Sequence, residues 1–286
     1  MKQINYFIQF IIIFILFFIF KILGYRLSSA LGGKIFEIIG PLFRSKRLIQ
    51  SNIKKAIPNI EFERLNEITK SMWNNYGRVF AEYMFIKDFN EGKLKNNLKI
   101  EGQDILDNIK KTNKPVIFIS GHLANFELMA MHIEKSGIKL SAIYRPLNNI
   151  FLNKIMERIR RKYICKFQIK KGIAGVRKII NMLKDNYSTA LMIDQRVSEG
   201  IEVNFFNQKA LTTTIPAQLI KKYNIEVVPV CIERIDKINF KITISKPLTL
   251  SNHNTVENIT ENLNLVLEKM ILKNPEQWIW SHNRWR

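Results

Sequence analysis

Phe7 to Phe20 reads FIQFIIIFILFFIF, with Gln9 as its only interruption. A surface helix keeps a polar face for water, and this run has none. Continued past Lys21 to Ile22, Leu23 and Gly24, it reaches the roughly 20 residues that cross a bilayer, and Lys21 can snorkel to the interface. Ser28-Ser29-Ala30 is a possible small-residue cleavage site for a signal peptide, and a buried core helix is a third reading. The flanking charges favour an anchor: only Lys2 precedes the run, whereas Lys21, Arg26, Lys34, Arg44, Lys46 and Arg47 follow it. The positive-inside bias then places the rest of the chain in the cytoplasm.

Beyond the anchor the period changes twice. Apolar residues recur every three or four positions over Arg26–Ile39, Ser45–Ala56 and Glu61–Phe85, which predicts helices, with Pro58 separating two of them. The polar stretch Asn90–Lys99 leads into the body. From Pro115 on, short apolar runs alternate with helical patterns. Strands are predicted at Pro115–Ser120, Leu140–Tyr144, Ser188–Ile193, Val227–Ile235 and Phe240–Ile244. Helices are predicted at Asn125–Glu134, Ile150–Tyr163, Val176–Lys184, Ile215–Tyr223 and Val256–Leu272. Such alternation implies an α/β fold with a mainly parallel central sheet flanked by helices. The expected organisation is an anchor over 1–25, a helical region over 26–90 and an α/β domain over 91–286.

Composition sharpens this outline. The 286 residues are 47% hydrophobic, enough for a sizeable core, so disorder is excluded. Lys and Arg number 45 against 24 Asp and Glu, a net charge of +21, which points to an anionic partner. Residues 158–178 concentrate that charge in Arg158, Arg160, Arg161, Lys162, Lys166, Lys170, Lys171, Arg177 and Lys178, with no acid among them. Beside Ile159, Tyr163, Ile164 and Phe167, this run fits a membrane surface or an acidic protein. No nucleic-acid module is visible, although a basic membrane- or RNA-binding protein without catalysis remains an alternative. Cys165 and Cys231 lack metal-ligand spacing and read as reduced packing residues. No metal or cofactor is expected.

The candidate chemistry lies at strand ends, where open α/β sheets carry their sites. The first strand of the body runs into Gly121-His122, and Glu127 follows five residues after the histidine. An imidazole can take a proton from an alcohol near neutral pH, and a carboxylate on its other nitrogen fixes the tautomer. On one continuous helix the two side chains would stand about 140° apart. The expected dyad therefore puts His122 in a turn eased by Gly121, and Glu127 in the first helical turn behind an Asn125 cap. The second strand ends in Tyr144-Arg145-Pro146, where Arg145 can hold phosphate or carboxylate. The third ends in Asp194-Gln195-Arg196; Asp194 reads equally as a structural cap. His132, His253 and His282 look like packing, turn and tail residues. The tail, PEQWIWSHNRWR, suits an interfacial or substrate-edge segment, or a terminal strand over the core.

Taken together, these blocks resemble the lauroyl/myristoyl (late) acyltransferases of lipid A biosynthesis. The resemblance rests on the apolar N-terminus, Gly121-His122-Leu123-Ala124-Asn125-Phe126-Glu127, Tyr144-Arg145-Pro146-Leu147, Asp194-Gln195 with Val203-Asn204-Phe205-Phe206, and Pro275-Glu276-Gln277-Trp278 through Arg284. It implies a fold like that of glycerol-phosphate acyltransferases, an acyl-carrier-protein thioester donor, and a phosphorylated, Kdo-bearing tetra-acylated disaccharide as anionic lipid acceptor. It also implies catalysis by His122 and Glu127, with Arg145 in the active site. Arg196 and Asn207 depart from the residues usual at those places, an acid and a glycine. A glycerophospholipid acyltransferase usually carries a Pro-Glu-Gly-Thr-Arg-like block, and Ser198-Glu199-Gly200-Ile201-Glu202 lacks the Thr-Arg. A glycolipid acyltransferase using acyl-CoA is the remaining enzymatic alternative.

Overall fold

The computed structural model describes residues 2–250 and 254–285; His253 lies outside them. In chain order the elements are α1 (Lys2–Phe43), α2 (Lys46–Ala56), α3 (Phe62–Glu82), α4 (Ile86–Asn90), β1 (Leu98–Glu101), α5 (Gln103–Thr112), β2 (Ile117–Ser120), α6 (Glu127–Lys135), β3 (Leu140–Tyr144), α7 (Ile150–Tyr163), β4 (Phe167–Lys170), α8 (Ile173–Lys184), β5 (Ser188–Met192), β6 (Ile201–Phe205), β7 (Gln208–Thr212), α9 (Ile215–Tyr223), β8 (Val227–Asp236), β9 (Asn239–Ile244) and α10 (Val256–Lys273). The sheet runs β1-β9-β8-β2-β5-β3-β4, and every neighbouring pair is parallel except β8 with β9. This is the α/β fold that the sequence pattern predicts.

The anchor and the first predicted helix form one long helix, broken at Gly24, whose backbone (φ 75°, ψ 168°) only glycine adopts readily. This helix is long and apolar enough to cross a membrane. It is also tied to the body along one side. Phe17 and Phe20 are buried against Phe80, and Phe7 packs edge-on to Phe151 of α7 at 5.5 Å. The Asn149 amide donates to the Tyr6 carbonyl at 2.8 Å. Farther along, Gly32 meets Gly77 of α3 so closely that a Cβ on Gly77 would stand 2.1 Å from the Gly32 carbonyl oxygen. Residues left outward include Leu27, Ile38, Leu42 and Phe43.

Ile49 and Ile53 of α2 and Leu65, Ile68 and Met72 of α3 join the sheet residues in one continuous core. Six elements have no counterpart in the sequence reading: α4, β1, α5, β4, β6 and β7. β1 (LKIE) is a half-exposed strand at the sheet edge, and α5 follows it. β4 (FQIK) hides within the basic run. β6 and β7 form a separate antiparallel hairpin whose loop residues, Phe206 and Asn207, both have positive φ (53° and 56°). Paired positive φ values match the right-handed strand twist of a two-residue hairpin.

Candidate active site

The site follows from strand register. β2 and β5 are parallel neighbours, with Ser120 opposite Met192. Two residues further on, His122 and Asp194 leave the sheet side by side, since side chains repeat every second residue along a strand. The His122 Nδ1 lies 2.8 Å from Asp194 Oδ1. Asp194 Oδ2 accepts the His122 backbone N–H and the Trp278 indole N–H, each at 2.9 Å. Asp194 and Trp278 are both 1% exposed, whereas 22% of the His122 side chain stays open. As a carboxylate, Asp194 accepts from Nδ1–H and so leaves Nε2 as the acceptor. Nε2 has no hydrogen-bond partner among the described residues.

Burial is the largest influence on the His122 pKa and pulls it down. The charge and hydrogen bond of Asp194, with the charge of Glu127 added, outweigh burial, and the net shift is upward. Burial acts on Asp194 in the opposite sense, but His122 and the N–H donors hold its pKa below the usual carboxylate range.

The expected contact between Glu127 and His122 is replaced by another pairing. Glu127 opens α6, but its Oε1 accepts from Arg160 Nε and Nη2 at 2.8 and 2.5 Å. A guanidinium offers a carboxylate a charged fork, which a neutral imidazole cannot match. The Arg160 guanidinium also stands 6.0 Å from the centroid of the Tyr144 ring. In sequence Arg160 is one cation of a basic run; its inward turn comes from the docking of α7.

The turn itself also differs from expectation. Its left-handed residue is Ala124 (φ 41°) rather than Gly121. Gly121 is needed for close approach, because a Cβ there would meet Leu267 at 2.9 Å and Asp194 at 3.3 Å. Asn125 does not cap α6; its amide donates to Glu82 Oε2 at 3.2 Å beneath the turn, and it is only 1% exposed. Glu82 is fully buried, accepts from Ser29 Oγ at 2.7 Å, and is forked by Arg234 at 2.6 and 3.0 Å. This tie between α1, α3, β8 and the turn is invisible in the sequence.

The tail closes the other side. Leu123 bridges to Trp278, and the Ala124 N–H donates to the Gln277 carbonyl at 3.0 Å. Trp278 and Trp280 are 1% exposed, so they latch the core rather than an interface. His282 accepts the Arg196 backbone N–H at 3.0 Å, and His132 pairs with Gln103 away from the site. Gln195 lies beside the His122 ring, with Nε2 3.5 Å from Nδ1. The Arg145 and Arg196 side chains reach outward from the rim, with no carboxylate partner among the described residues. His122 opens into a narrow cleft of about 20 Å³, lined by Met72, Tyr76, Val79, Phe126, Trp278 and Ile279.

Four matches bear on this arrangement. The family model for bacterial lipid A biosynthesis acyltransferases matches residues 1–286. The chain is 22% identical to the lipid A biosynthesis palmitoleoyltransferase of Escherichia coli (strain K12), over 92% of this chain and 86% of that protein. It is also 22% identical to the myristoyltransferase of the same strain, over 87% and 76%. Lipid A biosynthesis acyltransferase 2 of Shigella flexneri is 23% identical over 63% of this chain and 58% of its own length. An α/β sheet that sets an imidazole–carboxylate pair beside an apolar cleft, behind a long apolar helix, thus accompanies a match over the whole chain, and the chain belongs to the bacterial lipid A biosynthesis acyltransferase family.

Proposed function

We propose that the chain transfers a fatty acyl group from an acyl-carrier-protein thioester to a hydroxyl of a phosphorylated, Kdo-bearing lipid A precursor at the cytoplasmic face of the inner membrane. The observation that carries this reading is the His122 ring, held at Nδ1 by Asp194 and lining a largely apolar cleft. Asp194 holds Nδ1–H, so Nε2 takes the proton of the acceptor hydroxyl. The acceptor oxygen attacks the thioester carbonyl carbon. The carbon–sulfur bond then breaks, and the departing thiolate takes the proton back from the imidazolium. Glu127 adds negative charge that supports the imidazolium, and Arg160 fixes Glu127. Backbone N–H groups of the turn or nearby basic groups hold the oxyanion.

The cleft in its present state admits about one water-sized body. An acyl chain therefore requires lining side chains such as Met72 and Phe126 to move aside. Arg145 and Arg196 on the rim are suited to acceptor phosphate or carboxylate. Arg158, Lys162, Lys166, Lys170, Lys171, Arg177 and Lys178 are exposed around the end of α7 and the start of α8. Together these cations are suited to an acidic carrier protein.

The test is mass spectrometry of the purified full chain with tetra-acylated acceptor and a panel of acyl-carrier and acyl-CoA thioesters. A mass gain of one acyl chain from the carrier thioester is expected. Product from acyl-CoA alone, or none from any donor, overturns the donor or the reaction. The pH profile is a second check. His122 must be neutral to act as base and its pKa is raised, so kcat/KM should climb with pH through a midpoint above 6.5. A profile flat from pH 5 to 8 excludes this base.

A further inference from the structure

A second concave site lies away from His122, between α2 and the β6–β7 hairpin. It is an open groove of about 620 Å³, lined by Lys46, Arg47, Gln50, Ser51, Lys54, Lys55, Pro58 and Gln208. That volume is in the range of small-molecule sites. The α2 residues recur in pairs four apart, which places them on one face of the helix. The opposite face, Ile49 and Ile53, is fully buried in the core, so α2 cannot rotate these cations away.

The charges are unbalanced. No acidic residue lines the groove, and Lys46, Arg47, Lys54 and Lys55 have no carboxylate within 4.0 Å among the described residues. Four cations held together in a concavity repel one another unless an anion occupies it. Its location narrows the ligand. α2 starts just beyond Phe43, and Ile38, Leu42 and Phe43 are 76%, 83% and 68% exposed at the end of α1. These residues lie beyond the Gly24 break and form an exposed apolar patch suited to the membrane surface, so the groove opens beside the layer of lipid headgroups.

The groove is built onto the segment that closes the active site. The Asn52 amide, on α2, donates to the carbonyls of Trp280 and His282 at 2.8 Å each. Lys55 sits 5.9 Å above the Trp285 ring. The same tail supplies Trp278 to Asp194.

We propose that this groove binds the phosphorylated sugar headgroup of the lipid acceptor, with Arg47 and Lys54 on phosphate and Lys46 and Lys55 flanking them. The assignment rests on the acyltransferase reading and adds a subsite to it. An acceptor gripped by its headgroup presents its hydroxyl to His122 without relying on the cleft alone, a use of remote binding for positioning.

The experiment uses the full chain in detergent, as wild type and as the double variant R47S/K54S. Titration calorimetry with the deacylated, phosphorylated disaccharide measures the groove directly. Acyl transfer is assayed in parallel on phosphorylated and dephosphorylated acceptor. Two lost charge-assisted contacts should weaken disaccharide binding at least about tenfold. The acceptor KM should rise by a similar factor while kcat falls less than about twofold. The dephosphorylated acceptor should no longer distinguish variant from wild type. An unchanged affinity and acceptor KM overturn the proposal. So does a rise confined to the KM of the acyl-carrier thioester, which would make the groove a carrier dock. Absence of transfer by the wild type, with disaccharide binding intact and sensitive to R47S/K54S, would sink the reaction assigned above and leave the groove standing.

Discussion

Asp194→Asn is expected to cut turnover by about 10³- to 10⁴-fold while leaving the fold in place. Asp194 receives three N–H donors on two oxygens: the His122 ring, the His122 backbone and the Trp278 indole. Asparagine has one oxygen and one NH2. If its oxygen faces the ring, its NH2 opposes two N–H groups; if the amide flips, its NH2 opposes Nδ1–H and favours the wrong tautomer. In the flipped state Nε2 carries the proton and cannot accept one; in the other, the lost carboxylate charge weakens Nε2 as a base. The side-chain volume barely changes, so circular dichroism and membrane association should match wild type. Removing the anionic charge also lowers the His122 pKa, so the acid limb of the residual kcat/KM profile should move to lower pH. Activity within about tenfold of wild type would show that Asp194 is structural and that the imidazole is oriented by another group.

Glu82→Ala should destabilise the protein by about 3–5 kcal/mol, the usual cost of removing one partner from a buried ion pair. The Arg234 side chain is 8% exposed. It would keep the Asn75 side chain and the Lys237 carbonyl but lose its only carboxylate among the described residues. Asn125, already carrying an unpartnered Oδ1, would lose its amide partner as well. The His122 turn should therefore loosen along with the global fold. Denaturant unfolding in detergent measures the first effect and kcat the second. The double variant E82L/R234M removes both charges and should recover most of the stability, because hydrophobic replacements of buried pairs are often neutral. It should recover less of the activity, since Asn125 stays untied. A loss below about 1 kcal/mol for Glu82→Ala would mean that water reaches Arg234.

Much of the architecture was legible in the chain. The run FIQFIIIFILFFIF and the apolar strands PVIFIS and STALMI are local signals, written in neighbours along the sequence. They sufficed for the apolar helix, the mainly parallel sheet and the three polar strand ends at one edge. Elements with weak local signals were missed: β1 is short and half exposed, and β4 lies inside a basic run whose charge masks its alternation.

By itself the sequence determined that His122, Tyr144-Arg145 and Asp194-Gln195-Arg196 would meet at the carboxyl edge of a sheet, because strand polarity follows from the alternation of strands and helices. Which carboxylate touches His122 was decided only by tertiary structure. Glu127 is five residues away and Asp194 seventy-two, yet the nearer acid turns to Arg160 and the distant one to the ring. Spacing along a chain limits local geometry, but strand order and register set the contacts between side chains on neighbouring strands. β5 lies beside β2 with Ser120 opposite Met192 because the whole core packs that way.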